Sequence, residues 1–174
     1  MPGSGKKAPK TIVRGYRKSD LDSCRKLWEE LTVRHREIYS DNSIGGDRPG
    51  MFFDEHLKRV GARSIWVAVQ GSRVVGFVGL IVEGEDAEIE PLVVTKKMRG
   101  VGIGTQLTAV AAAKALRVKG VKFLTVRPVA RNIEAMRFFR KMGLVNVGRI
   151  ELFRDLKGRK WKKHLRIHDL DLGY

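Results

Sequence analysis

Cysteine and long apolar runs are scarce in this chain of 174 residues. The one cysteine, Cys24, excludes an intramolecular disulfide and a cysteine-based metal cluster. No apolar run reaches the roughly 18 residues that suggest a membrane span. The opening segment, MPGSGKKAPK, lacks the hydrophobic stretch of a secretory signal. We therefore expect a cytoplasmic protein with no membrane partner and no metal site.

Acidic side chains are also few relative to basic ones. Aspartate and glutamate number 19 against 35 lysines and arginines, which gives a formal net charge of +16. Such a field attracts polyanions in general, including nucleic acids and phosphorylated ligands. We interpret it as a solvated basic surface that attracts phosphate groups, in preference to a dedicated nucleic-acid groove. Hydrophobic residues, at 43%, are numerous enough for a globular domain.

The pattern of apolar residues predicts one α/β domain after a short tail. Residues 1–10 show no periodicity and are expected to form a disordered basic tail, which leaves 11–174 for the domain. Ser19 and Asp22 have the spacing of a capping box for the first helix. The helices are predicted over 19–38, 52–60, 102–118 and 132–142, and the strands over 11–17, 64–70, 73–82, 87–94, 121–126, 145–153 and 165–172. Crossover helices occur only in the second half, so we expect a mixed, mostly antiparallel central sheet flanked by helices.

A glycine-rich turn joins a predicted strand to a long alanine-rich helix at residues 93–105. Gly100, Gly102 and Gly104 free the backbone to turn sharply and to approach a ligand closely. The first amides of the helix lack intrahelical partners and point outward at the positive end of its dipole, which makes an anion site. Arg99 and two lysines before it add positive charge, so a pyrophosphate fits here. Neither the P-loop nor the G-x-G-x-x-G pattern is present, and a plain strand-to-helix turn is the alternative.

Two segments resemble the motifs of the GNAT acetyltransferase superfamily. Residues 99–104, Arg-Gly-Val-Gly-Ile-Gly, are similar to its R/Q-x-x-G-x-G/A signature and follow an apolar strand at 89–94, as in that family. Residues 132–144 resemble its second motif, N-x-x-A-x-x-[F/L]-Y-x-K-x-G-[F/L], at the expected distance. The resemblance extends over residues 11–156 and implies a GNAT-like fold, acetyl-CoA as cosubstrate, and N-acetyltransfer by direct attack of an amine.

The resemblance also implies where acetyl-CoA binds. Backbone groups of Leu92, Val93 and Val94 would pair with the pantetheine arm like an added strand. Asn132 would reach the pantetheine, cap its own helix, or do both. Lys141 would meet the adenosine phosphate, with a solvated helix lysine as the simpler interpretation. The amides expected to hold the pyrophosphate belong to Arg99, Gly100, Val101, Gly102, Ile103, Gly104 and Thr105.

Acetyl transfer to an amine requires a base, donors for the oxyanion and a departing thiolate. An amine with a pKa of about 10.4 is mostly protonated at neutral pH, so a base must remove its proton. Glu90 is the first candidate, because it lies on the strand that leads to the thioester and resembles a recurrent acidic site of the family; an ion pair is the alternative. If the strand alternates strictly, Glu88 shares its face, and there we expect an ion pair. Backbone amides at the end of the same strand are candidates for the oxyanion site. Further candidates for the base are His35, Glu37 and His56.

Phe139 departs from the family pattern, which often has a tyrosine here to protonate the leaving thiolate. Phenylalanine cannot donate a proton. Another tyrosine such as Tyr39 or a water molecule substitutes, or the thiolate leaves unaided, since a thiol pKa of about 8.5 makes it a tolerable anion. Loss of catalysis is the remaining alternative.

We therefore expect an acyltransferase that acetylates an amine: a protein N-terminus, a lysine side chain or a small molecule. The loop at 40–50 and the early helices are expected to line the acceptor pocket. One alternative is a non-catalytic acyl-CoA-binding module. The other is a basic nucleic-acid-associated protein, suggested by the charge and by the basic segment 157–166 around Trp161. A homodimer is common in the resembling family and is left open here.

Overall fold

A computed structural model describes residues 10–156, 158, 161 and 165–174. The described residues up to Arg127 form one compact unit, and those from Pro128 onward form a second. The predicted tail, apart from Lys10, lies outside the described residues, and so does much of the basic segment 157–166. None of the described helices is both long and apolar enough to cross a membrane.

The first unit is built around a five-stranded sheet whose spatial order follows the order in the chain. Its strands are β1 (Thr11–Gly15), β2 (Ile65–Gln70), β3 (Arg73–Glu83), β4 (Asp86–Val94) and β5 (Phe123–Thr125). Neighbouring strands from β1 to β4 are antiparallel, whereas β5 returns through a helix and pairs with β4 in parallel. The prediction of a mixed, mostly antiparallel sheet is confirmed.

Three helices cover the two faces of this sheet: α1 (Leu21–Tyr39), α2 (Phe52–Val60) and α3 (Ile103–Ala115). Gly76 and Phe77 are consecutive residues of β3 and therefore face opposite sides. The ring of Phe77 lies 5.2 Å from that of Phe53 on α2, centroid to centroid. On the other side, a Cβ added to Gly76 would lie 3.2 Å from a methyl of Leu107 on α3. The absent side chain at Gly76 thus lets α3 lie close against the sheet.

The main core lies between the sheet and the first two helices. Trp28 of α1 stacks on Phe77 with the ring centroids 6.2 Å apart. Cys24 is fully buried in the same cluster, and burial raises the pKa of its thiol to about 12. The side chain therefore behaves as a small hydrophobic residue and not as a nucleophile.

The predicted capping box at the start of the first helix is wrong. Asp20, not Ser19, organises this end: its carboxylate accepts the backbone N–H of Arg17 at 2.8 Å and two guanidinium N–H groups of Arg14 at 2.7 and 2.9 Å. Asp20 is only 4% exposed. The arginine partner lowers the pKa of this buried carboxyl and keeps it ionised.

The second unit contains α4 (Ile133–Lys141) and a small hairpin of β6 (Leu165–Ile167) and β7 (Leu170–Leu172). The prediction of a strand over 145–153 is wrong, because these residues adopt no regular secondary structure. Val147 and Leu152, for example, are largely exposed. A strand needs a partner for its backbone groups, and no described segment pairs with this one.

Candidate functional site

The turn between β4 and α3 has the geometry of an anion site. Gly100 and Gly102 have φ angles of +79° and +87°, which favour glycine. A Cβ at either position would meet nothing within 4 Å, so the backbone conformation and not crowding calls for glycine here. Gly104 belongs to the first turn of α3 instead. The space in front of the turn is open to a ligand.

The amides of this turn are available to such a ligand. The first helical hydrogen bond of α3 runs from the N–H of Gln106 to the carbonyl of Gly102, at 3.1 Å. The N–H groups of residues 103–105 precede this bond and so lack a partner within the helix, whereas the hydrogen-bonded turn at residues 99–100 is closed by the N–H of Val101. Arg99 folds back so that its Nε donates to the carbonyl of Val94 at 3.1 Å. Free amides at a helix start, with an arginine beside them, form a site for a phosphate group.

One edge of β4 is left without a strand partner. β5 pairs only with Asp86–Glu88 of β4. From Ile89 to Val94 no described segment pairs with that edge of the strand. Backbone groups of Leu92–Val94 can therefore accept an extended ligand there, as the resemblance implies.

A bulge interrupts β4 halfway along this free edge. The register with β3 shifts so that Glu90 and Pro91 both stand opposite Gly79. A side chain on Gly79 would clash with the carbonyl oxygen of Glu90 and would lie 2.6 Å from Nε2 of His56. Glycine at this position thus allows the bulge and the imidazole to come together.

Arginines bind both carboxylates of this stretch of β4, Glu88 before the bulge and Glu90 within it. Arg59 of α2 donates from Nη2 to Oε1 of Glu90 at 2.6 Å, with the two side chains 57% and 38% exposed. Oε2 of Glu88 lies 3.2 Å from Nη1 of Arg127. Burial raises the pKa of Glu88, and Arg127 opposes that rise. The expected ion pair of Glu88 is present, and the ion pair weighed for Glu90 forms as well.

His56 is a neutral, buried neighbour of this pair. It is 3% exposed, and burial lowers its pKa to about 4. Its Nδ1 lies 3.5 Å from Nη2 of Arg59, and its Nε2 has no hydrogen-bond partner among the described residues. At neutral pH the imidazole can accept a hydrogen bond from Arg59 but carries no charge of its own. Of the other candidates for the base, His35 has its pKa lowered by burial and Glu37 pairs with Arg34 at 3.3 Å.

The remaining predicted site residues lie on α4, in the second unit. Asn132 caps this helix, since its side chain accepts the N–H of Ala135 at 3.1 Å. Phe139 is 7% exposed and Lys141 is exposed. Their place relative to the glycine turn stays a prediction.

The structure adds three residues that the sequence analysis missed: Arg59, Gly79 and Glu30, whose carboxylate accepts the hydroxyl of Thr95 at 2.9 Å just before the glycine turn. Their partners lie far away in the chain, so no local pattern pointed to them. The bulge did have a signal, because proline inside a strand is confined to edges and bulges, and Pro91 lies in the middle of β4. Within the described part of the chain, no three His, Cys, Asp or Glu side chains gather as metal ligands.

A bulged strand with a free edge, ending in an open glycine turn of an α/β domain, is an arrangement that can hold a phosphate-bearing coenzyme. The model of the acetyltransferase (GNAT) family matches residues 23–144, which include both motifs. The chain therefore belongs to the GNAT acetyltransferase family, whose cosubstrate is acetyl-CoA. The resemblance and the cofactor inferred from the sequence are confirmed. No curated protein matches the chain by sequence.

Solved structures share this fold at low sequence identity. A GNAT acetyltransferase from Staphylococcus aureus Mu50 is 19% identical with a TM-score of 0.62, over 77% of this chain and 84% of that chain. An acetyltransferase from Trypanosoma brucei is 20% identical with a TM-score of 0.59, over 84% and 100%. The aminoglycoside N-acetyltransferase AAC(6')-Iy, in complex with CoA, is 16% identical with a TM-score of 0.62, over 87% and 98%. At these identities the likeness is one of fold.

Proposed function

We propose that this protein transfers an acetyl group from acetyl-CoA to the nitrogen of an amine. One observation carries the proposal: the amides of residues 103–105, which lack a partner within their helix, follow a strand edge that is itself unpaired among the described residues from Ile89 to Val94. The turn holds the pyrophosphate, and the edge holds the pantetheine arm. A cytoplasmic location is part of the proposal and rests on the sequence alone.

This arrangement directs the thioester toward Glu90. Because of the bulge, Glu90 stands opposite Gly79, three residues of β3 from the partner of Val94, so it lies about 10 Å back along β4 from Val94. A pantetheine arm that starts at the turn and follows the edge runs toward the bulge. The carboxylate that we assign as base is therefore at the reacting end of the cosubstrate and not at its phosphate end.

The chemistry removes two protons from the ammonium nitrogen, delivers one proton to the thiolate, and replaces sulfur by nitrogen at the carbonyl carbon. Glu90 takes a proton from the amine, directly or through water, and the nitrogen attacks the thioester carbonyl. Backbone N–H groups on the free edge of β4 beside the thioester stabilise the tetrahedral oxyanion. The attacking nitrogen gives up its second proton to water, the C–S bond breaks, and the thiolate of CoA leaves. Its proton comes from water, because Phe139 has none to give.

Calorimetric titration and a thiol-release assay test the proposal together. We expect acetyl-CoA and CoA to bind and pantetheine, which lacks the pyrophosphate, to bind much more weakly. Equal affinities for CoA and pantetheine would show that the turn does not bind the pyrophosphate. A panel of amines should release CoA thiol from acetyl-CoA. Binding without release for every amine would favour the non-catalytic acyl-CoA-binding module, and a salt-sensitive nucleic-acid complex that acetyl-CoA does not displace would favour the nucleic-acid alternative.

A further inference from the structure

We propose that Arg59 selects acceptors that carry a carboxylate close to the reacting amine, so that the acceptor is an amino acid. The inference rests on the proposed function and names the substrate class of the same site. It starts from the ion pair of Arg59 with Glu90, which lies at the bulge of β4 and not on a remote surface.

The ion pair uses only part of each side chain. Arg59 donates from Nη2 alone, and Glu90 accepts on Oε1 alone. Nε and Nη1 of Arg59 and Oε2 of Glu90 make no hydrogen bond to another described residue. Both side chains are accessible, at 57% and 38% exposure. The pair thus presents unused donors beside an unused acceptor.

That juxtaposition is complementary to a zwitterion. The ammonium group of an amino acid donates to Oε2 of Glu90, the atom that then takes its proton. The carboxylate of the same molecule accepts from Arg59, whose planar guanidinium suits a carboxylate in two-point contact. A polycationic amine lacks the carboxylate and is repelled by Arg59. An amide of the same amino acid loses the charged contact.

The surroundings hold Arg59 in place for this role. Nδ1 of His56 lies 3.5 Å from Nη2 of Arg59, which is the same nitrogen that binds Glu90. Because His56 is buried and neutral, it does not repel the guanidinium. Glu88, the neighbouring carboxylate of β4, is paired with Arg127. Arg59, with its side chain 57% exposed, is thus available to an incoming carboxylate at the bulge.

The alternative is that Arg59 only ties α2 to β4. An ion pair this exposed contributes little to stability, so Arg59→Gln should fold as the parent does. The two roles differ in kinetics. A residue that binds the acceptor changes KM for acids alone, whereas a residue that only positions Glu90 changes kcat for every acceptor.

The test compares a panel of α-amino acids, each paired with its carboxamide, as acceptors for acetyl-CoA. In the parent protein the best acid should exceed its amide at least tenfold in kcat/KM. Arg59→Gln should abolish that preference through KM, with less than a threefold change for the amide. The preference of Arg59→Lys for the acid over its amide should lie between that of the parent protein and that of Arg59→Gln. Arg63→Gln, which removes an exposed arginine just after α2, is the matched control and should behave as the parent.

Each other outcome overturns the inference. If no acid is preferred over its amide, or if Arg59→Gln lowers kcat equally for both, Arg59 does not recognise the carboxylate of the acceptor. Turnover of other amines in that case keeps the proposed N-acetyltransfer intact. Calorimetry of the amino acids on the CoA-saturated protein supplies a readout that is independent of turnover. No binding and no acetylation across the panel would overturn the inference as well.

Discussion

The hydroxyl of Thr95 donates to Oε1 of Glu30 at 2.9 Å and joins two residues that are 65 positions apart. The backbone N–H of Lys96 donates to the other oxygen of the same carboxylate at 3.0 Å. A cavity of about 380 Å³ lies beside this contact, bordered by α1 and by Lys96 and Arg99. The end of β4, immediately before the glycine turn, is thus fixed to α1.

We expect Glu30→Ala to loosen this attachment and to weaken acetyl-CoA binding about tenfold, or ~1.4 kcal/mol, the scale of one hydrogen bond to a charged group. Without this anchor the turn is less ordered before binding, so part of the binding free energy is spent on ordering it. Calorimetric titration measures the change. Glu37→Ala, on the same helix, removes only an exposed pair with Arg34 and should leave the affinity unchanged. Equal behaviour of the two variants would show that the anchor does not support the turn.

Gly102→Asp should weaken acetyl-CoA binding by at least about 100-fold, because it places a carboxylate within a few ångströms of the phosphates. The substitution also carries a backbone cost of about 1–2 kcal/mol at a positive φ. Gly84→Asp is the matched control, since Gly84 has a φ of +59° and equally open surroundings in the hairpin between β3 and β4. It should lose similar stability and keep full affinity. A folded Gly102→Asp protein with parental affinity would place the phosphate site elsewhere.

Glu90→Gln should lower kcat by about 10²–10⁴-fold, the usual scale for a positioned base, while acetyl-CoA affinity stays nearly unchanged. The substitution preserves the shape of the side chain and removes its capacity to take a proton. The acidic limb of the pH–rate profile should disappear with it. If rate and profile both persist, Glu90 is structural, and the base is to be sought among His35, Glu37, Glu88 and water.

Phe139→Tyr should keep the parental activity or raise it modestly. The added hydroxyl only offers a proton to a thiolate that already leaves without one. Steady-state thiol release with the best acceptor measures the effect. A large increase in kcat would show that departure of the thiolate limits the parent protein.

The buried imidazole of His56 makes stability depend on pH. Its pKa is about 4 in the folded chain and about 6.5 in the unfolded chain. At pH values between these two, the imidazole binds a proton in the unfolded chain but not in the folded chain. The free energy of unfolding should therefore fall by about 1.4 kcal/mol per pH unit as the pH drops through this window. His35, whose pKa is also lowered, adds to the slope in the same direction. Urea unfolding at several pH values measures this dependence. His56→Gln should reduce the change in unfolding free energy per pH unit by the amount that corresponds to about one proton. An unchanged dependence on pH would contradict the lowered pKa of His56.

Much of the site could be predicted from short stretches of sequence. The glycines at 100 and 102 are required by local backbone angles, and Asn132 caps its helix through an amide only three residues away. The order of strands and helices also depends on neighbouring residues, because it follows from the periodicity of apolar side chains. Spacing along one segment determines which side chains share a face.

Only the tertiary structure decided how the reacting end of the site is arranged. Arg59 meets Glu90 across 31 residues, and Thr95 meets Glu30 across 65. The segment 145–153 has the composition of a strand but forms none, since a strand exists only when another chain segment satisfies its backbone groups. Ion pairs, bulges and strand pairing are contacts between distant segments, so they depend on how those segments pack and not on the residues next to them in sequence.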